Sequence, residues 1–324
     1  MSQALASPAA RAQTAARRGR VKAKTVRETR EWCIRALLAT AAACSVATTF
    51  AIVATLAWET LHFFRLPEVR VWDFLLGTEW SPKQDQKFGI WPLVNGTLMV
   101  AAVGAMVALP VGLVTAIFLS EYAAPRLRSV LKPVLEVLAG VPTVVYGFFA
   151  LTFLTPGLQW ACQRLFGEPI FSGYNATGAG LAVGIMVLPI VTSLSEDALR
   201  AVPRGLREGA YALGGTRFDV SVRVVVPAAL SGIMASFFLA ITRAIGETMI
   251  VALAAGGLAH LTLDPSQPAQ TMTAYMVQVF GGDAPAFGVE NLSCYAVAAV
   301  LFALTLGLTM AGNALLRVFR EEYE

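Results

Sequence analysis

Charge is scarce in this sequence. Asp, Glu, Lys and Arg make up 14% of its 324 residues, where soluble domains carry about a quarter. Hydrophobic residues reach 56% and mean hydropathy is +0.63. That balance argues against an ordinary soluble domain and for an integral membrane protein. Histidine is nearly missing, with His62 and His260 the only two. Neither H-E-x-x-H nor G-x-S-x-G occurs, so an intramembrane metalloprotease or nucleophile-elbow hydrolase lacks its residues. No Gly is followed by Lys, which removes G-x-x-x-x-G-K-[ST] and with it any phosphate-cradling loop for ATP. Four cysteines (Cys33, Cys44, Cys162 and Cys294) form no C-x-x-C and no Cys/His cluster. A Cys162–Cys294 disulfide is left open, with spacing alone a poor argument for it. The pI of 9.0 comes largely from the N-terminal tail, and no basic patch interleaved with aromatics suggests nucleic acid.

What is present is long apolar runs. Six stretches approach or exceed the roughly 20 residues that span hydrocarbon: 34–58, 93–119, 134–155, 178–194, 228–256 and 293–316. Pro110, Pro142, Pro189 and Gly246 inside them are tolerable where neighbouring helices satisfy freed backbone groups. The first run starts late and is too long for a signal-peptide core. Basic residues divide by side. Eight lie before the first run, Arg126, Arg128 and Lys132 follow the second, and five arginines lie between the fourth and fifth. The opposite loops hold Arg65, Arg70, Lys83, Lys87 and Arg164. The positive-inside rule then puts both termini in the cytoplasm. Residues 1–31 read as a disordered basic tail that helps fix topology. In the first outside loop, Trp72, Trp80 and Trp91 suit an aromatic interfacial belt.

Residues 196–227 are too patterned for a connector. Pro203 suits the first turn of a helix that runs through Ala212 and stops at Gly214–Gly215. Thr216 and Asp219 have capping-box spacing for a second helix, and Pro227 breaks the chain before the fifth run. Gly205 and Gly209 share a face on the first helix, beside Arg204, Arg207 and Glu208. Such a helix either docks into another protein or lies on its own membrane surface.

The stretch "EGAYALGGTRFDVSVRVVVP" resembles the EAA loop of ABC-transporter permeases. Glu208, Gly209 and Ala210 stand for Glu-Ala-Ala, Gly214 is the spaced glycine, and Val224, Val226 and Pro227 fill the closing Ile-x-Leu-Pro. Gly209 replaces Ala and the valines replace Ile and Leu, with spacing intact. The resemblance implies a coupling helix seated in a cleft of a separate ATP-hydrolysing subunit. "FGIWPLVNGTLMVAAVGAMVALPVGLVTAIFLSEYA", "LKPVLEVLAGVPTVVYGFF" and "RAIGETM" are similar to the permeases of high-affinity phosphate ABC transporters, and "WSPKQDQKFGIWPLVNGTL" is closer to the PstC-type than to the PstA-type subunit. Molybdate and sulfate permeases share the general layout and stand as the alternative.

Arg243 and Glu247 lie inside the fifth apolar run. Pro227 to Arg243 is sixteen residues, roughly 24 Å of helix, which puts both charges deep in the membrane. An arginine there costs about 2.5–3.5 kcal/mol on insertion scales. On a continuous helix i, i+4 spacing would let the two pair. One reading is an ion pair locking helices or a subunit interface. The other is a charged stop on an anion pathway, because guanidinium matches phosphate oxygens. Monohydrogen phosphate can donate a proton to a carboxylate and sulfate cannot, so Glu247 would favour phosphate. Glu136, near the cytoplasmic end of the third run, reads as an interfacial residue that snorkels.

These readings combine into an all-α membrane protein of six transmembrane helices with the type I ABC importer permease fold. The expected permease domain covers 32–320, with its EAA coupling loop at 196–227. The resemblance implies a non-catalytic permease of the bacterial inner membrane, importing inorganic phosphate. It implies a homologous PstA-type permease, two PstB-type ATP-binding subunits and a periplasmic PstS-type phosphate-binding protein as partners. ATP and Mg would sit on the ATPase, with no cofactor in this chain.

Overall fold

The computed structural model describes residues 8–83, 85–282 and 288–318. Residues 1–7 of the expected tail and 319–320 at the end of the expected permease domain lie outside the described residues. Helix α1 runs Pro8–Phe64, so from residue 8 onward the segment expected to be disordered is helical. Its Ala, Arg, Lys and Gln residues are good helix formers, and Pro8 stands at the helix start, where its missing N–H costs little. The chain divides into two compact units, Met1–Trp58 and Glu59–Glu324, whereas the sequence reading divides it after residue 31.

In the second unit the chain first builds a small cap from α2 (Val71–Leu76) and a hairpin of β1 (Trp80–Ser81) and β2 (Lys87–Phe88). Phe63, Phe74, Trp80 and Phe88 pack edge to face, the geometry that ring quadrupoles favour. Trp80 also meets Tyr275, with ring centroids 4.9 Å apart. Trp72 and Trp91 are exposed, as an interfacial belt requires, but Trp80 is buried. It belongs to the core of the cap, because the hairpin folds it inward.

Helix α3 (Trp91–Ile117) continues as a π-helical turn to Tyr122. Helix α4 (Pro125–Ala139) follows, and the chain breaks at Gly140–Pro142. The next span is α5 (Thr143–Phe149), a π turn and α6 (Thr155–Phe166). The third span therefore starts at residue 143 and not 134, and Glu136 lies outside it. The reason is composition: α4 has one charged face and one apolar face, as a surface helix does, and Pro142 cannot continue it. Helix α7 (Ala176–Ala201) is capped by Asn175, whose side chain accepts the Gly178 N–H at 2.6 Å.

Helices α3 and α7 meet along small residues. A Cβ on Gly184 would come 2.9 Å from the Gly104 carbonyl oxygen, and one on Gly180 would come 2.6 Å from Val103 Cβ. Lipid offers no hydrophobic drive between helices, so close backbone approach and dispersion hold such pairs. Buried Ala108, Ala179, Ala182 and Val183 complete the seam.

The chain then forms α8 (Arg204–Ala212), α9 (Arg217–Val220), a π turn, α10 (Val226–Ala228), α11 (Leu230–Ile245), α12 (Met249–Ala254), α13 (Met272–Phe280) and α14 (Val289–Val318). Among the described residues five helices are long and apolar enough to cross a membrane. Counted together as one span, the pair Arg217–Ala228 and Leu230–Ile245, bent by 70°, makes a sixth. The continuous helix expected over 228–256 is not formed. It ends at Ile245, turns through Gly246–Thr248 and restarts as α12.

Candidate functional site: a coupling segment and a broken span

The sequence dictates α8 closely. Pro203 is its N-cap, one position before the expected first turn. Its end is a Schellman motif: the Gly214 N–H donates to the Tyr211 carbonyl at 2.9 Å and the Gly215 N–H to the Ala210 carbonyl at 3.2 Å. Gly214 has φ +86°, which a side chain would oppose. The Thr216–Asp219 capping box is present in both directions, so α9 restarts immediately. Of the expected coupling residues, Glu208, Gly209, Gly214 and Pro227 are exposed, while Ala210 packs against the buried cluster of Leu199, Val220 and Val225. No atom lies within 4 Å of a Cβ built on Gly205, Gly209 or Gly214. Leu213 is 91% exposed and Phe218 65%. The segment thus presents a small-residue face and two bare apolar side chains away from the bundle.

Its underside is tied down by charges that sequence reading did not assign. Arg207 Nη1 donates to Glu121 Oε1 at 2.5 Å and Nη2 to the Leu199 carbonyl at 2.7 Å. Beside it Glu196, fully buried, faces Arg128 Nη2 at 2.5 Å and Lys132 Nζ at 3.0 Å. Lys132 also reaches Asp197 at 2.6 Å. Burial alone would lower the Lys132 pKa, but hydrogen bonds to Asp197 and Glu196 outweigh it and hold the ammonium above its ordinary range. A signal was present in the sequence: Glu121 and Glu196 sit at the ends of apolar runs, close to clustered arginines. Pairing across loops required the fold. Glu136 is exposed and lines a shallow groove along α4 with Arg128 and Lys132.

The structure separates Arg243 from Glu247. Arg243 occupies the last turn of α11 and is exposed. Among the described residues no carboxylate lies within 4.0 Å of its guanidinium. Glu247 lies beyond the Gly246 cap and is buried at 6% exposure. Its Oε1 accepts the N–H groups of Met249 at 3.2 Å and Ile250 at 3.4 Å, which caps α12. Its carbonyl accepts from Thr273 Oγ1 at 2.6 Å. The i, i+4 pair expected on one helix face therefore does not form, because the helix stops between the two residues. Among the described residues the Arg243 guanidinium has no hydrogen-bond or ion-pair partner and stands exposed, and Glu247 holds the turn behind it. Cys162 and Cys294 are free thiols.

Residues 108–320 match the profile of the family described as binding-protein-dependent transport system inner membrane component. The chain is 33% identical over 272 residues to the probable ABC transporter permease protein YqgH of Bacillus subtilis (strain 168), covering 84% of this chain and 86% of that one. It is 34% identical over 279 residues to the phosphate transport system permease protein PstC of Mesorhizobium japonicum, covering 81% and 82%. Among solved structures it resembles a chain of a bacterial ABC transporter involved in import of the acidic polysaccharide alginate. The TM-score is 0.65 at 12% identity, over 90% of this chain and 98% of that one.

Proposed function

The chain belongs to the binding-protein-dependent transport system inner membrane component family, and from that premise we propose that it is the PstC-type permease subunit of an ATP-driven importer of inorganic phosphate. It has the type I ABC importer permease fold. The solute follows from the relatives, since a phosphate permease matches along four fifths of the chain. The role as a driven subunit is carried by one observation, the exposed small-residue face of α8 and its end, where a Cβ on Gly205, Gly209 or Gly214 would meet no other element among the described residues. Without Cβ atoms there, another protein's backbone can approach the helix closely.

In this reading two PstB-type subunits hydrolyse ATP, with Mg, and one of them receives Glu208–Gly214 in a surface cleft. A PstA-type permease completes the membrane path, and a periplasmic PstS-type protein delivers phosphate. The chain spans the bacterial inner membrane with both termini cytoplasmic, as its basic loops favour. ATP-driven closure moves α8, and the bundle alternates its access. Arg243 is the anion stop: a planar fork of donors, with no carboxylate among the described residues within 4.0 Å, suits the oxygens of phosphate. Glu247 acts one step removed, by shaping the turn that presents Arg243, and its carboxylate disfavours fully ionised oxyanions nearby.

Uptake of labelled phosphate into proteoliposomes holding the whole complex tests this, with molybdate and sulfate as competitors. Saturable, ATP-dependent uptake that sulfate and molybdate fail to compete supports the phosphate reading. Preferential uptake of either competitor moves the chain to the related-oxyanion alternative.

A further inference from the structure

Arg207 is the one charged side chain of α8 that turns inward. Arg204 and Glu208, on the same helix, are exposed, as residues meeting solvent or a partner should be. The Arg207 side chain is 18% exposed and that of Glu121 is 7%. One guanidinium nitrogen holds the Glu121 carboxylate, in the π turn that ends the second span, and the other holds the Leu199 carbonyl, in the last turn of the fourth. These two spans are themselves locked together by the Gly104–Gly184 seam.

We propose that Arg207 and Glu121 form a rivet that makes the coupling helix move as one body with the cytoplasmic ends of the second and fourth spans, so that the pair sets how much solute moves per ATP hydrolysed. Helix α8 has only nine residues and is joined to α7 by Val202–Pro203 and to α9 by Leu213–Thr216. A push on such a short element is absorbed in its two connections unless something stiff links it to the bundle. Its one apolar anchor, Ala210, is small. A two-point guanidinium bridge supplies the stiffness: its planar fork fixes direction as well as distance. It joins α8 to two spans at once, so a displacement of the docked face reaches the α3–α7 pair without play. Lysine, a point charge with one direction of reach at a time, would hold one span and not both.

The proposal rests on the reading of α8 as an ATPase-docking helix, and the test keeps the two apart. The complete complex, with both permeases, the ATPase subunits and the binding protein, is reconstituted with Glu121→Gln, Arg207→Lys, Arg207→Gln or Gly209→Trp. Phosphate transported and ATP hydrolysed are measured on the same assembled fraction. Glu121→Gln and Arg207→Gln are expected to hydrolyse ATP while moving at least fivefold less phosphate per ATP, within the range typical of coupling between sites. Arg207→Lys should fall between them and the natural chain. An unchanged ratio in assembled Glu121→Gln or Arg207→Lys complexes overturns the rivet, as does transport falling in step with hydrolysis. Failure of both variants to assemble also overturns it, since the pair is then only a folding element. Gly209→Trp reports on docking: if the ATPase still binds and couples normally, the docking reading fails whatever the ratio does in the other variants.

Discussion

Glu247 caps the helix that follows it and does not pair with Arg243, although only three residues separate them in the sequence. Its Oε1 accepts from the Met249 and Ile250 amides, and the guanidinium of Arg243 stands at an exposed face four positions back. The two residues therefore do different work, and substitutions should separate them.

Arg243→Gln removes the charge without touching an internal hydrogen bond, so the complex should assemble normally and phosphate uptake should be lost. Glu247→Ala removes the acceptor of the buried Ile250 amide and the part-buried Met249 amide and should cost about 0.5–2 kcal/mol, as losses of side-chain caps do. Glu247→Gln keeps an oxygen in place and should unfold near the natural temperature. Thermal unfolding of the purified complex, read beside uptake, checks all three. If Arg243→Gln prevents assembly, the guanidinium is holding an interface with a neighbour instead of serving the solute. Sulfate leak through Glu247→Gln tests the carboxylate's part in selectivity, and an unchanged phosphate preference counts against it.

Gly209 and Gly214 should respond differently to a side chain. Nothing lies near Gly209, so Gly209→Trp should leave the permease folded and release the ATPase in a pull-down. Gly214 also has open space, but its φ of +86° makes Gly214→Ala cost about 1–2 kcal/mol in the helix end. The second effect should appear as lower stability of the isolated permease, before any partner is added.

Bulk at the α3–α7 seam should be far more damaging than bulk on α8. A Cβ on Gly184 already approaches the Gly104 carbonyl to 2.9 Å, and backbone cannot step aside. Gly184→Leu should cost at least the 1–3 kcal/mol typical of overpacking, and expression with a folded-protein reporter should show it as loss of the membrane-inserted form. Gly173→Leu is the control, because nothing lies within 4 Å of that glycine.

Glu196→Gln should loosen α4 from α7. Its carboxylate is fully buried between Arg128 and Lys132, and removing one partner of a buried ionic group costs about 3–5 kcal/mol. The same cluster constrains pH dependence. The folded pKa of Lys132 is raised above 10.5. Its contribution to stability is therefore complete below 10.5 and is lost only as pH rises through the higher folded value. Between pH 6 and 9 the uptake profile should carry no Lys132 titration. Lys132→Met should change the height of that profile and leave its shape; a shifted midpoint would contradict the assignment.

Composition settled that the chain lives in a membrane, because so few charges cannot dress a soluble surface of this size. Spacing alone placed the two short helices after the fourth span almost residue by residue: Pro203, Gly214, Thr216 and Asp219 are turn and cap signals whose physics is local, and the helices begin and end within a residue or so of where those signals put them. The failures share one cause. The start of the third span, the break at Gly246–Thr248 and the burial of Trp80 depend on what each segment packs against, which apolar runs do not encode. Arg243 and Glu247 looked like a pair because helical spacing was assumed through a residue, Gly246, that ends the helix. Glu121 with Arg207, and Glu196 with Arg128, are separated by 86 and 68 positions, and only the crossing of spans brings them within reach. Local propensity was legible in the sequence because it acts over one turn of backbone; the partners of buried charges were decided by tertiary structure, because a charge taken out of water must find whatever opposite charge the fold delivers.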